Sequence, residues 1–154
     1  MAGAGKSSIG KQLADNLKFD FIDSDKLIEI NQNKSLQDVL IENGIQEFKK
    51  IEEEAILSVE FNQTVLATGG SAIFSKNAMN YIKRNSLIIY LEVPLKDILE
   101  RVPNFSDRGF IKEQSQSICD AFEEREDLYK QSADHIVQNS GEILSCLQEI
   151  LEIL

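Results

Sequence analysis

Met1-Ala2-Gly3-Ala4-Gly5-Lys6-Ser7-Ser8 opens the chain and runs straight into a pattern in which Ile9, Leu13 and Leu17 recur every four residues. That recurrence predicts an amphipathic helix over about 7–17. Gly5-Lys6-Ser7 matches the end of the phosphate-binding pattern G-x-x-x-x-G-K-[ST], whose first glycine falls one residue before Met1. Glycines let the backbone curl so that successive N–H groups converge on phosphate oxygens, and the following helix adds its positive end. Gly3, Ala4, Gly5, Lys6, Ser7 and Ser8 are therefore the expected nucleotide-binding residues. Lys6 is placed to neutralise β and γ phosphates and the Ser7 hydroxyl to ligate Mg²⁺. The bland alternative is a glycine-rich helix start with an exposed lysine, and the order helix-then-strand argues against it.

Outward from this loop, short apolar runs alternate with helical ones. Strands are expected at Phe19 to Ile22, Thr64 to Ala67, Ser86 to Val93 and His135 to Gln138. Helices are expected at 27–30, 36–40, 46–60, 75–84, 94–102, 113–132 and 142–154. The run Leu87-Ile88-Ile89-Tyr90-Leu91 suits a strand buried on both faces. The pattern predicts an α/β fold of three layers, α/β/α, around a parallel sheet. A phosphate loop normally follows a buried central strand, and no such strand precedes Gly3. Losing four or five core aliphatics at about 1.5–3 kcal/mol each rivals the whole stability of a domain. The expectation is that Met1 is an internal methionine and that the native chain starts some ten residues earlier. A truncated, inactive product is the alternative.

Length and charge bound the rest. The 154 residues suit one domain spanning 1–154, and 42% hydrophobic with 27% charged residues is ordinary for a globular chain. Acidic residues outnumber basic ones by 26 to 16, a net charge of −10. That disfavours a nucleic-acid surface or an anionic-membrane surface but not one small anion pocket. Cys119 and Cys146 form no C-x-x-C pair, and a single His135 argues against a His/Cys metal cage. With no signal-peptide pattern and no apolar run of about 20 residues, a cytoplasmic monomer is expected.

Asp23-Ser24-Asp25 follows the strand at 19–22. In phosphoryl transfer one carboxylate near the metal can hold Mg²⁺ or its waters, and a second can orient the attacking hydroxyl or take its proton. The same three residues also read as a helix N-cap with an acidic first turn.

With these motifs in order, the chain resembles shikimate kinase, a small phosphate-loop kinase of the nucleoside monophosphate kinase fold. Gly3 to Ser7 matches the family's ATP loop, and Asp23-Ser24-Asp25 its D-x-D. Gln46-Glu47-Phe48-Lys49-Lys50-Ile51-Glu52 is similar to its E-x-F-R-x-x-E helix, and Ala67-Thr68-Gly69-Gly70-Ser71 to its A-T-G-G-G turn. Asp107-Arg108 falls where its lid, about 103–112 here, presents an arginine to ATP. Arg125 to Tyr129 is similar to its R-x-P-L-Y segment, and Ala133-Asp134 with Val137 to its A-D-x-x-V run.

The resemblance implies ATP and Mg²⁺ as cofactors and phosphorylation of a hydroxyl on a small carboxylated substrate, shikimate giving shikimate 3-phosphate. It implies Lys6, Asp25 and Arg108 as catalytic residues and Ser7 with Asp23 at the metal. Asp25, Lys49, Gly69, Gly70 and Arg125 would bind substrate, and Arg108 would also contact nucleotide. Four departures stand out: Lys49 for arginine, Ser71 for the third glycine, Gly109 for the lid proline and Asp127 for the proline of R-x-P-L-Y. Three lie on the substrate side, which keeps a kinase of another hydroxy or amino acid, such as homoserine, as a rival. The incomplete loop keeps a non-catalytic nucleotide-binding relic as another. Without the resemblance, Lys49 reads as a solvated i,i+4 partner of Glu53, Arg125 as a salt-bridging helix residue, and Gly69-Gly70 as a tight turn.

Overall fold

The computed structural model describes residues 1–102 and 116–154. Arg108 and the expected lid at 103–112 lie outside the described residues. Among the described residues four strands form: β1 (Asp20–Asp23), β2 (Thr64–Ala67), β3 (Ile89–Glu92) and β4 (His135–Gln138). Seven α-helices are described: α1 (Lys6–Leu17), α2 (Ser24–Gln32), α3 (Leu36–Leu57), α4 (Lys76–Asn85), α5 (Leu95–Arg101), α6 (Ile118–Ser132) and α7 (Ile143–Ile153). A short 3-10 helix, Ala72–Phe74, has no counterpart in the expected elements. The helices expected at 36–40 and 46–60 both lie within α3 and are parted at Gly44, whose φ of 74° and ψ of 170° break the helical backbone. Glycine tolerates that conformation without a Cβ penalty.

The layering follows from alternation along each strand. Val65 faces the cluster of Ile9 and Leu13 from α1 with Leu147 and Ile150 from α7. Its neighbour Leu66 faces Ile56, Ala78 and Ile82 of α3 and α4. Helices thus cover both faces of the strands, as an α/β/α arrangement requires.

The sheet itself is divided. β1 pairs in parallel with β2, Asp20 opposite Thr64, and β3 pairs in parallel with β4, Ile89 opposite His135. No pairing joins β2 to β3 among the described residues. Between them lies an apolar slot of about 410 Å³, walled by Val65 to Ala67, Ile88, Ile89 and Leu91, and floored by Ile9, Leu13 and Ile150. The single parallel sheet expected from the sequence is therefore two two-stranded sheets. The division falls where the strand before the phosphate loop is expected.

Candidate active site

The loop before α1 is bent by its glycines, Gly3 at φ 75° and Gly5 at φ 85°. A Cβ at Gly3 would stand 2.8 Å from Val102 Cγ2, and one at Gly5 2.8 Å from Asn139 Nδ2, so both positions exclude side chains twice over. Met1 and Ala4 are buried against Val93, Ile98, Val102 and Phe122. From β4's end, the Asn139 amide donates to the Ala4 carbonyl at 2.8 Å and fixes the loop from beneath. Gly5 caps α1 without a side-chain hydrogen bond, which leaves the first-turn N–H groups open to an anion.

Lys6 Nζ donates to the Met1 carbonyl at 2.7 Å. Burial pulls its ammonium below the ordinary lysine value, and the nearby Asp25 and Asp23 pull it back up. Ser7 Oγ donates to Asp23 Oδ2 at 2.5 Å, while Asp23 Oδ1 accepts the Asp25 N–H at 3.0 Å. Asp23 is thus the N-cap of α2, as the helix-start reading expects, and it also stands beside the loop hydroxyl. Ser8 is exposed at the start of α1.

Asp25 sits in the first turn of α2, and burial raises its carboxyl above the usual range, with Lys6 opposing and Asp23 adding to the rise. Gly69 is the meeting point of two carboxylates: a Cβ there would lie 2.1 Å from Glu52 Oε1 and 2.5 Å from Asp25 Oδ1. Its N–H donates to the fully buried Ser24 hydroxyl at 2.8 Å. Gly69 therefore needs to be glycine for close approach, not merely for turning the chain. Gly70 places its carbonyl against Tyr129, whose hydroxyl donates to it at 2.6 Å.

Glu52 is 2% exposed and accepts a hydrogen bond from Ser71 Oγ at 2.5 Å. Burial pushes its carboxyl up to about 7, the Ser71 bond opposing and Asp25 adding. Arg125 is equally buried and donates to the Ala121 carbonyl at 2.7 Å within α6. Lys49 Nζ lies 4.9 Å from the centre of the Phe74 ring. Glu53, its expected helical partner, instead accepts from Ser75 and Asn77.

Lys6 and Gly69 line one pocket, Asp25 stands against Gly69 and Asp23 against Ser7, while Lys49 and Arg125 stand against the Phe74 ring. Sequence reasoning gives no role to Glu52, Phe74 or Asn139. A signal for Glu52 is present: Phe48, Glu52 and Ile56 are spaced by four, so the carboxylate shares the apolar face of α3. No group of three or more His, Cys, Asp or Glu able to hold a metal occurs among the described residues.

The sequence matches the family model described as shikimate kinase over residues 2–154. A shikimate kinase of Sulfurihydrogenibium sp. (strain YO3AOP1) is 34% identical, the match covering 97% of this chain and 90% of the relative. One from Clostridium beijerinckii is also 34% identical, over 100% of this chain and 90% of the relative. Among solved structures, shikimate kinase from Acinetobacter baumannii in complex with shikimate superposes with a TM-score of 0.88 at 28% identity, covering 99% of this chain and 87% of that one. The phosphate loop, the paired aspartates and the Gly69 turn described above lie within those matches, and the chain belongs to the shikimate kinase family.

Proposed function

We propose that this chain transfers the γ-phosphoryl group of ATP to a hydroxyl of shikimate. The observation that carries the reading is the convergence of Lys6 from the phosphate loop and Asp25 from α2 beside the Gly69 turn, where each shifts the other's titration. One cleft thereby offers a cation for the transferring group and a carboxylate for the acceptor.

Catalysis in this chemistry is positioning and charge neutralisation. The Gly3–Ser8 amides and Lys6 hold the phosphates. Asp25 accepts a hydrogen bond from the attacking hydroxyl, and its raised affinity for protons brings it nearer to the role of base at neutral pH. Glu52 offers oxygens to a neighbouring hydroxyl from beneath Gly69. Lys49 and Arg125 receive the substrate carboxylate. Arg108 is assigned to the nucleotide on the resemblance alone.

Magnesium suits the oxygens at Ser7 and Asp23, a hydroxyl and a carboxylate in contact at a solvent-reached edge. A small ion that keeps most of its water and phosphate ligands needs no larger protein cage. When bound it would offset charge on the β and γ phosphates. On this reading residues 1–154 act as one kinase domain and as a monomer. The unbridged Cys119 and Cys146 suit a reducing cytosol.

The test is ³¹P NMR of the chain with Mg-ATP and shikimate. A new phosphomonoester signal growing in step with ADP is expected. ADP without that signal, or neither, would discard the shikimate assignment.

A further inference from the structure

Phe74 closes the 3-10 helix that follows the Gly69-Gly70-Ser71 turn, and no motif of the sequence includes it. Two cations from two different helices stand against its ring. Lys49 Nζ, from α3, is 4.9 Å from the ring centre, and Arg125 Cζ, from α6, is 5.0 Å away. The face of an aromatic ring is negative and attracts each cation within this range. Lys49 has no ion pair among the described residues, because Glu47 is taken by Lys50 and Glu53 turns to Ser75 and Asn77. A lysine ammonium on a flexible four-carbon stem is otherwise free to sweep the surface. Seating it on Phe74 holds it against the same ring as a guanidinium that is itself 2% exposed and tied to the Ala121 carbonyl.

We propose that Phe74 is a positioning residue, a shared platform that holds Lys49 and Arg125 as a ready-made pair so that a substrate carboxylate meets both at once. The role rests on the reading above that this pair receives the carboxylate. It also addresses the departure at Lys49. A lysine lacks the planar fork of arginine, and a ring that fixes the ammonium restores part of the lost orientation.

Phe74→Leu removes the ring and keeps apolar bulk, whereas Phe74→Tyr keeps the ring. With no ring face to hold either cation, Phe74→Leu should raise the KM for shikimate roughly 5–20-fold. kcat and the KM for ATP should stay within about twofold of the parent, and Phe74→Tyr should match the parent throughout. A second readout needs no substrate: the Lys49 ε-CH₂ proton resonance should be shifted upfield by the ring in the parent and in Phe74→Tyr. In Phe74→Leu that shift should be gone, provided the thermal melt shows the variant folded. An unchanged shikimate KM in Phe74→Leu, equal losses in both variants, or no ring-induced shift in the parent would overturn the platform. If the parent fails to turn over shikimate while the ring-induced shift is present, the substrate reading falls and the platform stands.

Discussion

On the nucleotide side of the cleft, a glycine-bent loop rests on apolar contacts from Met1 and Ala4 and on one buried amide, Asn139, above a sheet divided by a slot of about 410 Å³. On the substrate side, Ser24, Gly69, Glu52 and Ser71 are tied by short hydrogen bonds between buried groups, and Tyr129 closes on Gly70. On the proposed reading, one wall serves the nucleotide and the other the acceptor. They differ in what backs them: a satisfied polar network is rigid, whereas an unfilled apolar slot forfeits dispersion attraction along its lining. Binding geometry on the shikimate side should therefore be robust, and order on the ATP side should be the weaker half of the site.

The largest effects should come from breaking either wall at its charged centre. Asp25→Asn should lower kcat by about 10²–10⁴-fold, as loss of a positioned acid–base group does, with the KM for ATP little changed. Lys6→Ala should cost at least about 100-fold in kcat with a thermal midpoint close to the parent's, since no core packing is lost. Normal turnover by the Lys6 variant would remove the phosphate-loop assignment.

Next in size is a test of the asymmetry itself. An apolar segment of about five residues placed ahead of Met1, long enough to lie between β2 and β3, should bury the slot. It should raise the thermal midpoint by at least about 5 °C and lower the KM for ATP more than that for shikimate. Equal melting of the two forms, followed by differential scanning calorimetry, would show that the slot costs the fold nothing.

Lys49→Arg sharpens the substrate side. Restoring a fork that can make two parallel bonds should lower the KM for shikimate by about 10-fold and leave the KM for ATP alone. Steady-state kinetics on both forms measures it.

The smallest expected effect is on pH dependence. The Glu52 carboxyl titrates near 7 in the fold against 4.5 for an ordinary glutamate. The folded chain therefore holds a proton that the unfolded chain has already released, and its contribution to stability is present below 4.5 and lost as pH rises through 7. Asp25, also raised, acts in the same direction. Glu52→Gln should flatten the decline of the thermal midpoint across that interval, and an unaltered slope would place the titration elsewhere.

Periodicity makes most of the fold legible. The four-residue recurrence of Ile9, Leu13 and Leu17 marks α1, and Thr64 to Ala67 and His135 to Gln138 are strands at the bounds expected. The break inside α3 is legible as well: the helices expected at 36–40 and 46–60 are parted at Gly44, whose φ of 74° and ψ of 170° are not helical. The division of the sheet and the slot between β2 and β3 carry no local sequence signal of their own. At the site, Lys6, Asp23 and Asp25 stand out as local patterns. Asn139 does not, because its partner Ala4 lies across the whole chain, and an isolated asparagine after a strand carries no spacing signal. Phe74 is hidden for a similar reason: its cations come from two distant helices, and only the fold sets both against one ring.

Initial rates with shikimate and with homoserine, measured side by side for the parent chain and Asp25→Asn at saturating Mg-ATP, test the assignment most directly. Phosphorylation of shikimate with a kcat/KM well above that for homoserine, abolished in Asp25→Asn, is the predicted result. Preference for homoserine, or turnover that survives Asp25→Asn, would contradict it.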